Sequence, residues 1–409
     1  MRPLEGMKII ELAHMMAGPT AGLLLSDLGA DVLKIEKPKG GDDTRKLLPP
    51  AIAGEPASFM ILNRGKRGVA LDIKSAQGKA ALMRLVLEAD ALIENFRPGT
   101  MDRLGLGYSV LSKHNPKLIY CQITGFGNNG PYAERAGLDL IAQGMSGLMS
   151  VTGEGTGRPP VKAGVPVADV TAGILAATGI LAAYVRQLKT GKGDYVDTSL
   201  LEASVVHTYW ASAIAFATGK SSAPMGSAHH LTAPYQALPT SDGWVTIGCS
   251  TQSLWGRLLE MLADPPLAAD PRFVDNAGRM ENLPALADRL FTIFRKRSTA
   301  EWMVLLDAAG VPAGPVLNIS QMHQDPQVIH RKMVMEVNHL VAGRVQAVGC
   351  PIKFSGVSPA TEKGAPVLGQ HTAEVLAEYG FSAADIDNLK SAGVIVQNSL
   401  ALSAKPVST

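Results

Sequence analysis

Cysteine is scarce, with Cys121, Cys249 and Cys350 alone among 409 residues, far apart and each in apolar, strand-like surroundings. That usage excludes a disulfide framework and leads us to expect a reducing, cytoplasmic setting. Charge of one sign is also lacking, since 38 Lys and Arg face 36 Asp and Glu for a formal charge of +2. No basic footprint for nucleic acid results. No H-x-x-x-H or C-x-x-C spacing occurs, and the adjacent His229 and His230 do not face one metal from a regular element, so no metal site is expected. No G-x-S-x-G elbow frames a serine, which argues against a serine hydrolase. Glu5, Lys8 and Glu11 interrupt what a signal peptide would need as its apolar core. The apolar passages are broken by Gly, Asp or Lys short of the ~20 residues of a membrane span, so no membrane partner is expected.

What is present is alternation. MKIIELA (7–13), ADVLKIE (30–36), GVALDI (68–73), ALIENF (91–96) and KLIYCQITG (117–125) read as strands. Helical spacing fills 18–29, with Pro19 in a first turn, and roughly 76–89. These units predict an α/β protein with a parallel sheet covered by helices. Residues 170–188 form an Ala-rich helix, apolar nearly all round and expected to be buried, that ends at KTGKG. A chain of this length exceeds the ~250–300 residues of a single core, so two domains are expected. Small, turn-forming residues at 216–228 mark the crossing into a smaller α+β unit at 228–325, which opens with the strand-turn-strand YQALPTSDGWVTIGC. The first domain then spans 1–215 and is completed by 326–409, where MVMEVNHL and GRVQAVGCPIKF are strand-like and the tail from Thr372 is helical.

GFGNNG (125–130) matches G-x-G-x-x-G and follows a strand, but Pro131 and Tyr132 interrupt the helix that a dinucleotide site requires, and no strand-end acid follows ~20 residues on. A loop that lets a ligand approach the backbone is the better reading. Lys37, Lys74, Arg97 and Arg103 recur just beyond predicted strand ends, where an open parallel sheet collects ligands, and are candidates to grip a phosphorylated one. Each alone also reads as an ordinary solvated cation.

Asp169, in GVPVADVTAG, sits at the head of the 170–188 helix. It reads first as a helix N-cap, and the same geometry also suits a nucleophile that the helix terminus keeps ionised among small neighbours. Asp139, in GLDLIAQGMSG, reads as a cap, a solvent-facing acid or a second functional carboxylate.

PLEGMKIIELAHMMAGP, LLSDLGADVLKIEKP, DDTR, NRGKRGVALDIKS, ALIENFRPGTMDRLGLGY, ITGFGNNGP, VADVTAG, TGKGDYVDTSLLEA, GVPAGPV and LGQHT together resemble the family III CoA-transferases. That group holds the formyl-CoA and carnitine CoA-transferases and is related to the α-methylacyl-CoA racemases; the resemblance runs from about residue 3 to 396. It implies a Rossmann-like large domain built from both ends of the chain, a smaller inserted α+β domain, and a homodimer of two interlinked chains. It also implies that coenzyme A and acyl-CoA act as substrates, with no tightly bound cofactor and a small carboxylic acid as the other partner. The family's catalytic aspartate falls on Asp169, and Asp139 matches an acid that helps orient the substrate. CoA contacts fall on His14, Met15, Met16, Ala17, Lys37, the Leu71, Asp72 and Lys74 stretch, Asn95, Phe96, Arg97, Arg103, and the loop before Asp139 with Ala136 and Leu138.

The resemblance implies CoA transfer from an acyl-CoA donor, succinyl-CoA or a similar short acyl-CoA, to a free acid through an aspartyl-CoA thioester. Backbone N–H groups near 125–130 and at the head of the long helix are expected to stabilise the oxyanions. A racemase is the enzymatic alternative, but related racemases carry a histidine where this chain has Leu138, so two-base proton exchange lacks one base. A CoA-binding protein without turnover is the other alternative, opposed by the intact Asp169. His229, His230 and Arg45 are candidates to meet a second carboxylate of the acid.

Overall fold

The computed structural model describes residues 1–357 and 361–398, which form two compact units. The first comprises Met1–Ser146, Ala163–Thr208 and the chain from Pro326; the second comprises Gly147–Lys162 and Tyr209–Asp325. Residues 147–162 thus cluster with the second unit, although they lie inside the 1–215 stretch read from sequence.

In the first unit a seven-stranded sheet is built from β1 (Lys8–Glu11), β2 (Asp31–Glu36), β3 (Arg67–Leu71), β4 (Ala91–Glu94), β5 (Ile119–Thr124), β6 (Asp194–Ser199) and β7 (Ile395–Val396). Its order is β7-β3-β2-β1-β4-β5-β6; every pairing is parallel except that of β7 on β3. The central strands are apolar on both faces because helices cover both. On one face α1 (Ala17–Asp27) lies over Ile9, Ile93 and Cys121; on the other α2 (Ala76–Val86), started by a Ser75 side-chain cap, lies over Ile10, Leu33 and Leu92. Strands β6 and β7 were not legible beforehand. DYVDTS carries two aspartates, and its outer part is only partly buried, as an edge strand tolerates.

Two further helices frame the site, α3 (Asp139–Met145) and α4 (Val167–Thr190). Helix α4 is long and apolar enough to cross a membrane by length and composition. It runs through Gly173 and Gly179 unbroken, because Gly173 packs where a Cβ would come within 2.6 Å of the Ala17 carbonyl oxygen and of Thr20 on α1. The expectation of a buried helix is corrected in part: Ala168, Ala172, Ala176 and Ile180 are buried, whereas Ile174, Val185 and Leu188 on the outer side are exposed.

The second unit has a three-stranded antiparallel sheet, Tyr235–Pro239, Trp244–Gly248 and Ala313–Pro315, with helices Gln252–Leu262, Leu283–Phe294 and Thr299–Ala309. Its core includes Trp255, Leu290, Phe294 and Trp302.

Candidate active site

Strand order reverses between β1 and β4, and in an open parallel sheet a ligand crevice lies beyond the carboxyl ends of the strands at such a point. The chain leaving β1 and the chain leaving β4 are locked together there. The His14 N–H donates to Asn95 Oδ1 and Asn95 Nδ2 donates to the His14 carbonyl, both at 2.8 Å. The next residue, Met15, takes a left-handed φ of 64° and donates its N–H to Asp42 Oδ1 at 3.2 Å. Asp42 is held in turn by the wholly buried Lys34, whose Nζ lies 2.8 Å from Asp42 and 2.9 Å from Glu11. Burial alone would raise the Asp42 carboxyl, but Lys34 beside it pulls it well below the ordinary carboxylate range. His14 is pushed below its usual value by burial and by Lys34, so its imidazole is neutral at pH 7.

Two concavities meet at His14 and Phe96. One, of about 350 Å³, is lined by Lys37, Leu71, Asp72 and Lys74 from the β2 and β3 ends. The other, of about 370 Å³, is lined by Met15, Ala17, Asn95, Arg97, Arg135, Ala136, Leu138 and Asp169. Its wall is the contact of two loops at Gly125 and Gly137, so close that a Cβ on Gly137 would stand 2.5 Å from the Gly125 Cα. This backbone contact gives Gly125 its use. Met16, Arg103 and Asp139 line neither concavity among the described residues. Arg103 bonds Thr100, and Met16 occupies the N-cap position just before α1.

Asp169 lies in the first turn of α4, not at its cap. The cap position is Pro166, and the helix head is satisfied by Asp139, whose Oδ1 accepts from the Ala168 N–H at 2.8 Å and the Asp169 N–H at 3.4 Å. Two sequence expectations are corrected by this. The helix terminus does not hold Asp169 low; partial burial and the neighbouring Asp139 charge push it up to about 6. Nor are the helix-head amides free for an oxyanion. In the glycine loop, the Gly127 and Asn128 N–H groups donate to Thr124 Oγ1 and Asp197 Oδ2.

The profile of CoA-transferase family III matches residues 4–372. The chain belongs to CoA-transferase family III. It is 37% identical to the succinyl-CoA:glutarate CoA-transferase of Mus musculus, covering 97% of this chain and 91% of that protein. To the succinate–glutarate CoA-transferase of Agrobacterium fabrum it is 39% identical, over 92% and 95%. A crystal structure of a CAIB/BAIF family protein from Brucella suis superposes with a TM-score of 0.83 at 40% identity, over 92% of this chain and 99% of that one. This family III chain is therefore an enzyme with CoA-transferase activity, moving CoA between an acyl-CoA and a carboxylic acid.

Of the candidates for a second carboxylate in this family III enzyme, Arg45 is already occupied. Its Nε and Nη2 pair with buried Glu36 at 2.7 and 2.9 Å, Nη2 also bonds the Pro366 carbonyl, and the guanidinium lies 3.5 Å over the Phe59 ring. His229 and His230 belong to the second unit, His229 among Trp210 and Tyr235, His230 bonded to the Ala223 carbonyl. Sequence reasoning passed over Lys34, Asp42 and Gln143. A lone lysine inside the apolar strand DVLKIE was the available signal for the first, since a buried charge demands partners.

Proposed function

We propose that Asp169 is the nucleophile of a CoA transfer between succinyl-CoA, or a similar short acyl-CoA, and a small dicarboxylic acid. The observation that carries this is the position of Asp169 on the wall of the crevice that holds His14, Asn95 and Arg97. With its carboxyl raised to about 6, Asp169 is ionised at pH 7 and more basic than an ordinary aspartate, which favours attack. An Asp169 oxygen attacks the donor thioester carbon and expels CoA thiolate, leaving a mixed anhydride. The thiolate then attacks the aspartyl carbonyl and releases the donor acid, forming an aspartyl-CoA thioester. The acceptor carboxylate attacks that thioester, giving a second mixed anhydride and free thiolate. Thiolate attack on the acceptor's acyl carbon yields the new acyl-CoA and restores Asp169.

The dicarboxylate reading is supported by the mouse and Agrobacterium relatives, both named for succinyl or succinate and glutarate. Leu138, exposed on the crevice wall, neither accepts nor returns a proton, which favours transfer over racemisation. We further propose that the chain works as an interlinked homodimer; the exposed apolar side of α4, at Ile174, Val185 and Leu188, supports a partner there. The test is a panel of free mono- and dicarboxylic acids incubated with succinyl-CoA, acetyl-CoA and formyl-CoA, with new thioesters read by mass. Turnover of succinyl-CoA with short dicarboxylates is expected. Preferred use of formyl-CoA or of monocarboxylates would contradict the substrate assignment.

A further inference from the structure

Gln143 has no solvent exposure, yet it carries a polar amide into the interior of the first unit. Both ends of that amide are used, on different stretches of chain. Its Nε2 donates to Asp139 Oδ2 at 2.7 Å, one helical turn back on α3. Its Oε1 accepts from the Ala163 N–H at 2.9 Å. Asp139 Oδ1 meanwhile receives the Ala168 and Asp169 N–H groups. Each oxygen of Asp139 therefore has a protein donor, and its carboxylate is turned toward α4. Between Gln143 and Ala163 the chain makes its 147–162 excursion into the second unit, so chain connectivity does little to set where Ala163 re-enters. The Gln143 amide ties that point down.

We infer that Gln143 is a positioning residue for CoA transfer: it orients the Asp139 carboxylate against the head of α4. It touches no reacting atom and acts through Asp139. A rotated Asp139 would release the first-turn amides and carry its charge away from Asp169. The groups sharing the crevice with Asp169 are neutral His14, Arg97 and Arg135, so Asp139 is the anion whose placement sets the field at the nucleophile. The inference rests on Asp169 being the nucleophile.

A double-mutant cycle on the full-length enzyme tests it, with Gln143→Leu, Asp139→Ala, the pair, and Gln143→Glu, which keeps the size and the acceptor for Ala163 but loses the donor to Asp139. Gln143→Leu and Gln143→Glu are expected to lower kcat by about tenfold or more and to leave KM for acyl-CoA within about twofold, and Gln143→Leu, which adds no charge of its own, is expected to move the acid limb of kcat/KM to lower pH. In the Asp139→Ala background, Gln143→Leu should change kcat by less than about twofold. Multiplicative effects, an unmoved acid limb, or a rise confined to KM would overturn the inference. So would Gln143 variants that lose their circular dichroism while Asp139→Ala keeps it, because Gln143 would then act structurally and not through Asp139. Failure of the nucleophile assignment is separately visible as transfer activity surviving in Asp169→Ala.

Discussion

Asp139 and Asp169 share one helix N-terminus: the carboxylate of Asp139 accepts the Asp169 N–H at 3.4 Å and that of its neighbour Ala168 at 2.8 Å. The capping acid is thus the more remote residue in sequence. The acid at the helix head is left to face the crevice, half-buried and short of donors of its own. An anion so placed is costly, and the cost appears as a carboxyl pushed up to about 6.

With Asp169 as the proposed nucleophile acting in its ionised form, kcat/KM should fall as pH drops through about 6, with the limb belonging to free enzyme. Asp139→Asn keeps an acceptor for the helix head but removes the neighbouring charge that acts on Asp169 alongside burial. Its acid limb should move down by roughly one unit. Pre-steady-state or steady-state rates from pH 4.5 to 8 check this; an unmoved limb in Asp139→Asn would mean that burial alone raises Asp169.

Stability should run opposite to activity at this position. Asp169 has a folded value raised above its unfolded value of 3.8, so its contribution is fully present below that value and is lost as pH rises through about 6. Asp169→Asn should therefore unfold at higher denaturant than wild type at pH 7.5, by about 1–2 kcal/mol after allowance for partial solvent screening, and lose that advantage at pH 4. Equal midpoints at both pH values would refute it.

Asp169→Ala should lose more than about 10³-fold of transfer activity, and wild type treated with donor and hydroxylamine should carry a hydroxamate at Asp169. Peptide mapping by mass reads the modification. Its appearance on another acid would relocate the nucleophile.

Removing Arg45 leaves buried Glu36 without its guanidinium partner, at a cost of about 3 kcal/mol. Arg45→Ala should lower the thermal midpoint sharply while treating mono- and dicarboxylate acceptors alike. A selective rise in KM for dicarboxylates would restore Arg45 as a substrate contact.

Gly137→Ala brings a methyl against the Gly125 backbone, with no flexible side chain to give way. The loops must part, and kcat/KM should fall about tenfold or more with stability lowered by about 1–3 kcal/mol. Unchanged kinetics would show that the wall of the crevice tolerates displacement.

Local pattern determined much of this protein. The apolar pairs Ile9-Ile10, Leu92-Ile93 and Ile119-Tyr120 put a buried side chain on each face, as a sheet covered on both sides requires, and the spacing of these runs with helical segments predicts the doubly covered layer. Asp169 and Asp139 stood out as carboxylates beside helical segments. Their division of labour was decided only in three dimensions, because the bond between Asp139 and Ala168 spans 29 positions and no periodicity of a few residues encodes it. The same holds for Asn95 closing on His14 across 81 positions, and for Arg45, whose contact with Pro366 spans 321. Helix and strand follow from which residues avoid water nearby in the chain. Which acid caps, which faces the crevice and which cation is already spent follow from who meets whom after the chain has closed, where each buried donor and acceptor must find a partner.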